Sequence, residues 1–375
     1  MITSISALVW RRSAECVFHT TRKQCHTGEQ AQSKSDVLLA GRRGAFTQPG
    51  TKESIVQEQH RSELAALNAR LGLPGHVHFE SSARGGPVVV LDHPRGRATV
   101  ALMGAQLIDW QPAGQEPVFW LSPVAQLDTG SPVRGGVPVC WPWFGPPAPG
   151  LVASTGRTWP QHGFARTAMW LPIEAGEGAE GPWVTLALEA PADAGKGWPH
   201  QAQARLTVVV GAKLELRLRT HNRGPEPLVL TQALHAYFKV GDITRTRIDG
   251  LSGHVFHDTV AHGPARAISP SLNSQNGAVT FSGEIDRIYL EQRGAISIVD
   301  EQLGRQITMT KRGSGSTVVW NPWRDKSDGL GDMGAEGYRG MVCVEAADTI
   351  YDALSVPAGG TTELAASYAC EPLRN

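Results

Sequence analysis

An excess of charge of either sign is missing from this chain. Across 375 residues, 35 Lys and Arg balance 35 Asp and Glu, a formal net charge of zero. A nucleic-acid or membrane-surface binder needs surplus positive charge, so neither partner is expected. Long hydrophobic runs are also missing: no apolar stretch approaches the roughly 18 residues needed to cross a bilayer. Cysteine is scarce, with five residues and no Cys-x-x-Cys pair. That excludes a disulfide framework and favours a reducing, cytoplasmic compartment. Charged residues make up only 19% against 41% hydrophobic, which suits a chain with a sizeable core. Phe (9) and Tyr (5) are few beside 11 Trp. Indole rings suit sugar faces and ordinary cores alike. What is abundant is Gly (42) and Pro (25), the residues of turns.

Residues 1–57 differ from the rest. Met1 to Gly50 holds seven Lys/Arg and three Asp/Glu among many Ser, Thr, Gln and Gly, with no apolar period. The segment reads as a disordered extension. It is a poor secretory signal, because the apolar stretch Ile5–Trp10 is short and Arg11-Arg12 follow it. A transit peptide and a start codon set too far upstream both remain open. Gln57 to Leu73 places Leu64, Leu67 and Leu71 at helical spacing, so one amphipathic helix is expected, stopped by Gly72 and Pro74.

Beyond the helix, short apolar runs recur every 10 to 15 residues with Gly or Pro between them: Val88–Leu91, Ala98–Leu102, Ala105–Trp110, Trp183–Glu189 and onward to Thr362–Tyr368. Gln203–Val210 and Lys213–Arg219, joined by Gly211-Ala212, read as a hairpin. Strands without intervening helices predict an all-β fold, a sandwich or barrel, with residues 58–375 as a single domain.

Five segments could carry chemistry. Ser131–Pro147 contains Pro138, Pro142, Pro146 and Pro147, which forbid a normal central strand, and Gly135-Gly136 beside Arg134. It is either a rigid aromatic loop presenting one cation or a turn capping the sandwich. Gln161-His162-Gly-Phe-Ala-Arg166 sets a histidine and an arginine four residues apart with no metal spacing around them, so His162 is a site residue or simply a satisfied histidine. Leu228 to Val240 reads as one strand. Alternation puts Leu228, Leu230, Leu234, Phe238 and Val240 on one face, and Thr231, His235, Tyr237 and Lys239 on the other. Glu345 closes an otherwise uncharged run from Gly340 to Ala346. It is either exposed at a strand end or desolvated with a raised pKa, as a general base near neutral pH requires. Val319-Trp-Asn-Pro-Trp323 sets two indoles around a turn signal.

In this order the segments resemble the aldose 1-epimerase (galactose mutarotase-like) superfamily, and within it the glucose-6-phosphate 1-epimerase branch. The words that carry the resemblance are RGG-P-x-x-W-P-W-F-G at 134–145, QHGFAR at 161–166, LTQALHAYF at 230–238, Asp286 in D-R-I-Y, VWNPW at 319–323, DMG at 332–334 and MVCVE at 341–345. They span about residues 60–372. Residues 324–334 are longer and richer in Gly than the family pattern, and Glu336-Gly337-Tyr338 carries an extra Gly.

The resemblance implies a large twisted antiparallel β-sandwich of the galactose mutarotase type, with a short N-terminal helix. It implies an isomerase that interconverts the α and β anomers of a hexose 6-phosphate by opening and closing the ring. His235 would be the general acid and Glu345 the general base, with His162 assisting at the ring oxygen. Arg134, Gln161, Arg166 and Asp286 would contact substrate. Neither a metal nor an organic cofactor is implied. The partner would be a small-molecule sugar phosphate, and the protein would act as a monomer.

A planar guanidinium can bond two phosphate oxygens at once, so Arg134 and Arg166 are the candidate clamp, with Lys239 a weaker one. A free-aldose epimerase and a non-catalytic carbohydrate-binding sandwich are the alternatives. A glycoside hydrolase fits less well, since its two catalytic groups are both carboxylates.

Overall fold

The computed structural model describes residues 52–191, 197–263, 272–334 and 336–373. Contacts within the chain divide it into residues 1–63 and 64–375. The expected extension lies outside the described residues as far as position 51. The helix runs Lys52–Leu71, starting earlier than the expected Gln57. No Gly or Pro interrupts the sequence between those limits, so nothing stops it from extending back. Leu64, Leu67 and Leu71 pack against the main core, as their spacing predicts.

The rest is antiparallel sheet. A nine-stranded sheet runs from Val279–Thr280 at one edge to Leu171–Gly178 at the other, and an eight-stranded sheet carries the candidate site. A separate four-stranded sheet is built from Val77–Pro112. One apolar cluster contains residues of all three, among them Trp110, Leu206, Tyr368, Phe238 and Val344, each fully buried. A shared core between large antiparallel sheets is a β-sandwich. The hairpin around Gly211-Ala212 forms, with Val210 opposite Leu214.

Two expectations need correcting. Leu228–Val240 is three short strands, not one: Leu228–Leu230, Gln232–Leu234 and Tyr237–Lys239. The chain changes partner at the first break and keeps Met341–Asp348 as a partner across the second. The first piece pairs with Leu354–Val356. The second lies between Met341–Asp348 and Val139–Cys140, and the third pairs with Met341–Cys343. Leu171–Gly178 is also a strand, although its Pro, Gly and Glu content hid it. It is an edge strand, where those residues are tolerated because one side of the ladder is unpaired.

The central strand of the site, Met341–Asp348, is buried along its whole length. Val342, Val344 and Ala346 point into the main core. Met341, Cys343 and Ala347 point the other way, into two smaller apolar clusters. Burial on both faces explains why its sequence is an apolar run without alternation. Glu345 shares the second face and is the exception among these side chains.

Candidate active site

Register brings the site together. Leu234 pairs with Ala346, and Tyr237 pairs with Cys343. The same antiparallel count sets His235 opposite Glu345, on the face turned away from the main core. His235 Nδ1 lies 3.4 Å from Glu345 Oε1. On the next strand, Val318 pairs with Glu345 and Trp320 with Cys343. Asp286, one strand further, pairs with Trp320. Asp286, Trp320, Cys343 and Tyr237 therefore form one row across four strands, and Ile288, Val318, Glu345 and His235 form the row beside it. Glu345 is thus mid-strand and desolvated, which settles the choice the sequence left open.

The walls are apolar on both sides of the pair. Cys140, Ala233, Ile288, Val318 and Ala347 form one cluster, and Tyr237, Met333, Met341 and Cys343 form the other. The side chain of Glu345 is 1% exposed and that of His235 11%. Burial raises the Glu345 pKa well above the usual carboxylate range, and Asp286 raises it further. Burial also drives His235 well below its ordinary value, helped by His162, Arg166 and Arg134. Without substrate, both shifts favour the neutral forms of the two groups. His235 Nδ1 and Glu345 Oε2 are buried without hydrogen-bond partners. The neutral pair differs from imidazolium–carboxylate only by the position of one proton, so the two titrate as a unit.

His162 approaches from the Pro-rich side, its ring centroid 5.7 Å from that of His235. The Gly145 N–H donates to its Nδ1 at 3.2 Å. That places the ring proton on Nε2 and leaves it as a donor. Burial pushes the His162 pKa down to about 3, with Arg166 and Arg134 adding to the shift, so the ring is neutral. Gly163 makes this loop possible. It has φ 72°, and a Cβ there would collide with the Trp141 carbonyl oxygen. That same oxygen accepts from the N–H groups of Phe164 and Ala165.

Arg134 Nη1 donates to Tyr237 Oη at 3.3 Å, and its Nε donates to Asp332 Oδ1 at 2.6 Å. Arg166 Nη2 donates to the Gln161 carbonyl at 2.9 Å, while its Nε is buried and unpartnered. Both arginines act on the His235 and His162 rings, so both belong to this site. A cleft of about 1140 Å³ opens beside it, lined by Gln161, His162, Thr231, Asp286 and Lys326 among others. His235 and Glu345 are not on its wall; His162 and Asp286 are. Asp286 is largely buried, and burial raises its pKa.

All seven residues singled out from the sequence thus gather around one region. Lys239 does not: it pairs with Glu116 at 3.0 Å, away from the two histidines. Sequence reasoning gave no role to Asp332, Tyr237 or Cys343. Trp320 stands edge-on to His235, with centroids 6.3 Å apart, whereas Trp323 packs on Tyr338. The alternation of Tyr237 with His235, and of Cys343 with Glu345, was the available signal for two of them.

Comparisons with known proteins identify the family. The family model described as aldose 1-epimerase matches residues 87–369. An Escherichia coli K12 protein named "Putative glucose-6-phosphate 1-epimerase" is 39% identical over 69% of this chain and 82% of its own length. A protein of the same name from Cenchrus ciliaris is 32% identical over 67% of this chain and 74% of its own. The crystal structure of a "putative mutarotase" from Salmonella typhimurium superposes with a TM-score of 0.71 at 32% identity, covering 84% of this chain and 99% of that one. A galactose mutarotase-like protein from Lactobacillus casei shares the fold, with a TM-score of 0.57 at 15% identity over 76% of this chain and 100% of that one. The chain belongs to the aldose 1-epimerase family.

Proposed function

We propose that this protein interconverts the α and β anomers of a hexose 6-phosphate, glucose 6-phosphate foremost. The observation that carries the reading is the cross-strand pair of His235 and Glu345, one acid–base couple holding one mobile proton. Anomerisation needs a proton delivered to the ring oxygen and one removed from the C1 hydroxyl. The open aldehyde then rotates about C1–C2 and the ring closes by the reverse transfers. In this reading Glu345 takes the hydroxyl proton and His235 protonates the ring oxygen, with the His162 Nε2–H donating beside it. Each placed acid or base contributes about 10² to 10⁴ in rate, roughly 3 to 5 kcal/mol.

The sugar enters through the cleft between His162 and Asp286, whose carboxyl accepts from sugar hydroxyls. The phosphate supplies more than affinity. Burial holds the His235 pKa down while the site is empty, and His162, Arg166 and Arg134 add to it. A phosphoryl group near charge −2 that pairs with the two arginines offsets their field and favours the imidazolium form that His235 needs. Binding the correct substrate thereby arms the acid. The names of the relatives, which specify a glucose 6-phosphate, support the same substrate class.

No helix among the described residues is long and apolar enough to cross a membrane. We place the protein in the cytoplasm, where hexose phosphates are made and consumed, and acting as a monomer on a free small molecule. The test is anomer exchange by NMR or polarimetry on freshly dissolved α-glucose 6-phosphate, run beside galactose 6-phosphate and both unphosphorylated parents. Acceleration of the phosphorylated sugars above the spontaneous rate is expected. Acceleration of free hexoses alone would reject the phosphate reading, and no acceleration of any sugar would reject the enzyme.

A further inference from the structure

Cys343 stands two residues before Glu345 on the same face of the strand, and the ring-opening chemistry leaves it unused. His235, Cys343 and Glu345 each offer one ligand-type atom, a nitrogen, a sulfur and an oxygen, all within 4.8 Å of one another. The 3.4 Å between His235 Nδ1 and Glu345 Oε1 matches the roughly 3.3–3.8 Å between ligands on a tetrahedral ion with bonds of about 2.0–2.3 Å. The second observation is that His235 Nδ1 and Glu345 Oε2 are buried and unpartnered. Buried polar atoms ordinarily have partners, so these lone pairs await a proton donor or a cation.

We propose that His235, Cys343 and Glu345 form a binding site for a borderline-soft divalent ion of the Zn²⁺ type, and that occupancy switches the site off. The donor set sorts the candidates. Thiolate with imidazole selects zinc-like ions, whereas Mg²⁺ and Ca²⁺ want oxygen. Charge also balances. Binding displaces the Cys343 thiol proton and the Glu345 carboxyl proton, and one doubly charged ion facing two anions is neutral overall. The apolar walls tolerate that better than a lone carboxylate. Asp286 on the neighbouring row favours a cation, while Arg134 and Arg166 oppose one. The ion takes the same lone pairs through which the acid and base move protons, so a loaded site cannot exchange anomers. That inhibition rests on the proposed function; the binding itself does not.

The experiment titrates the full chain with Co²⁺ and follows the thiolate-to-cobalt charge-transfer band, then displaces cobalt with Zn²⁺. The wild type is expected to show the band and to lose anomer exchange in step with occupancy, with chelator restoring it. Cys343→Ala should abolish the band and weaken binding at least about 10-fold. This variant assigns the band, because the chain holds five cysteines. Cys343→Ser makes the same comparison if the alanine variant does not fold. No band on the wild type, or equal affinity in the cysteine variants, overturns the site. A band with exchange undiminished overturns the inhibition. Absence of exchange even without metal, with the band present, counts against the proposed function and not against the site.

Discussion

The Tyr237 ring lies flat against the His235 imidazole, with centroids 4.9 Å apart and planes 9° from parallel. Its hydroxyl takes a hydrogen bond from Arg134, which is also held by Asp332. A carboxylate, a guanidinium, a phenol and the general acid thus stand in series. Such stacking is worth about 0.5–1.5 kcal/mol beyond burial. Tyr237→Phe, which keeps the ring, should hold kcat within about threefold of wild type. Tyr237→Ala should lower kcat by about 10-fold or more and displace the pH limb that reports His235. Equal effects of the two variants on rate and pH profile would remove the stack from the mechanism.

The acid–base pair makes the sharpest demand. His235→Ala and Glu345→Gln should each lower kcat at least about 10²-fold, measured by anomer exchange. The double variant should lose little more than the worse single one, because two groups sharing one proton act as a unit. Multiplicative losses would mean that they work independently.

Much of this site was legible before the fold was known, and the reason is strand parity. Alternation put His235 and Tyr237 on one face and Leu234, Phe238 and Val240 on the other. The burial pattern agrees, even though the segment is three strands and not one. Parity survived because the second and third pieces keep one register on Met341–Asp348. The Glu345 environment was not legible, since desolvation depends on which strands flank it. The Arg134–Asp332 ion pair joins residues 198 apart through a Gly-rich loop, where no period operates. Lys239 fell out of the site because Glu116, in the loop after Gln106–Pro112, holds it. Face assignment alone cannot see such a partner.

Asp348 gives a pH prediction with a definite sign. Burial raises its pKa from 3.8 to about 7, although Gln232 donates to it and Lys311 is nearby. A folded-state pKa above the unfolded value means that the folded chain holds the proton more tightly. The stabilisation is full below about pH 4 and is lost as pH rises through about 7, at roughly 1.4 kcal/mol per pKa unit. Lys311, lowered by burial to about 8, works in the other direction only at higher pH. Asp348→Asn should therefore flatten the fall in denaturation midpoint between pH 4 and pH 7. A variant that tracks wild type across that window would show that Asp348 does not titrate there.

Gly163 tests the loop that delivers His162. A side chain at φ 72° meets both left-handed strain and the Trp141 carbonyl. Gly163→Ala should cost about 2–4 kcal/mol of stability in chemical denaturation. It should also lower exchange in the fraction that remains folded, as the Gly145–His162 bond loosens. Wild-type stability would mean that the loop can shift away from Trp141.

The phosphate clamp separates substrate recognition from chemistry. The buried, unpartnered Nε of Arg166 marks unused donor capacity beside the catalytic pair. Arg166→Ala should raise KM for glucose 6-phosphate at least about 10-fold, the loss of one charge-assisted bidentate contact, and leave KM for free glucose nearly unchanged. Because Arg166 also adds to the lowering of the His235 pKa, its removal should move the pH limb that reports His235 upward. Arg166→Lys should recover charge but not the fork, returning the pH limb toward wild type and little of KM. If both sugars lose equally in KM, Arg166 holds the loop through Gln161 and does not hold the phosphate.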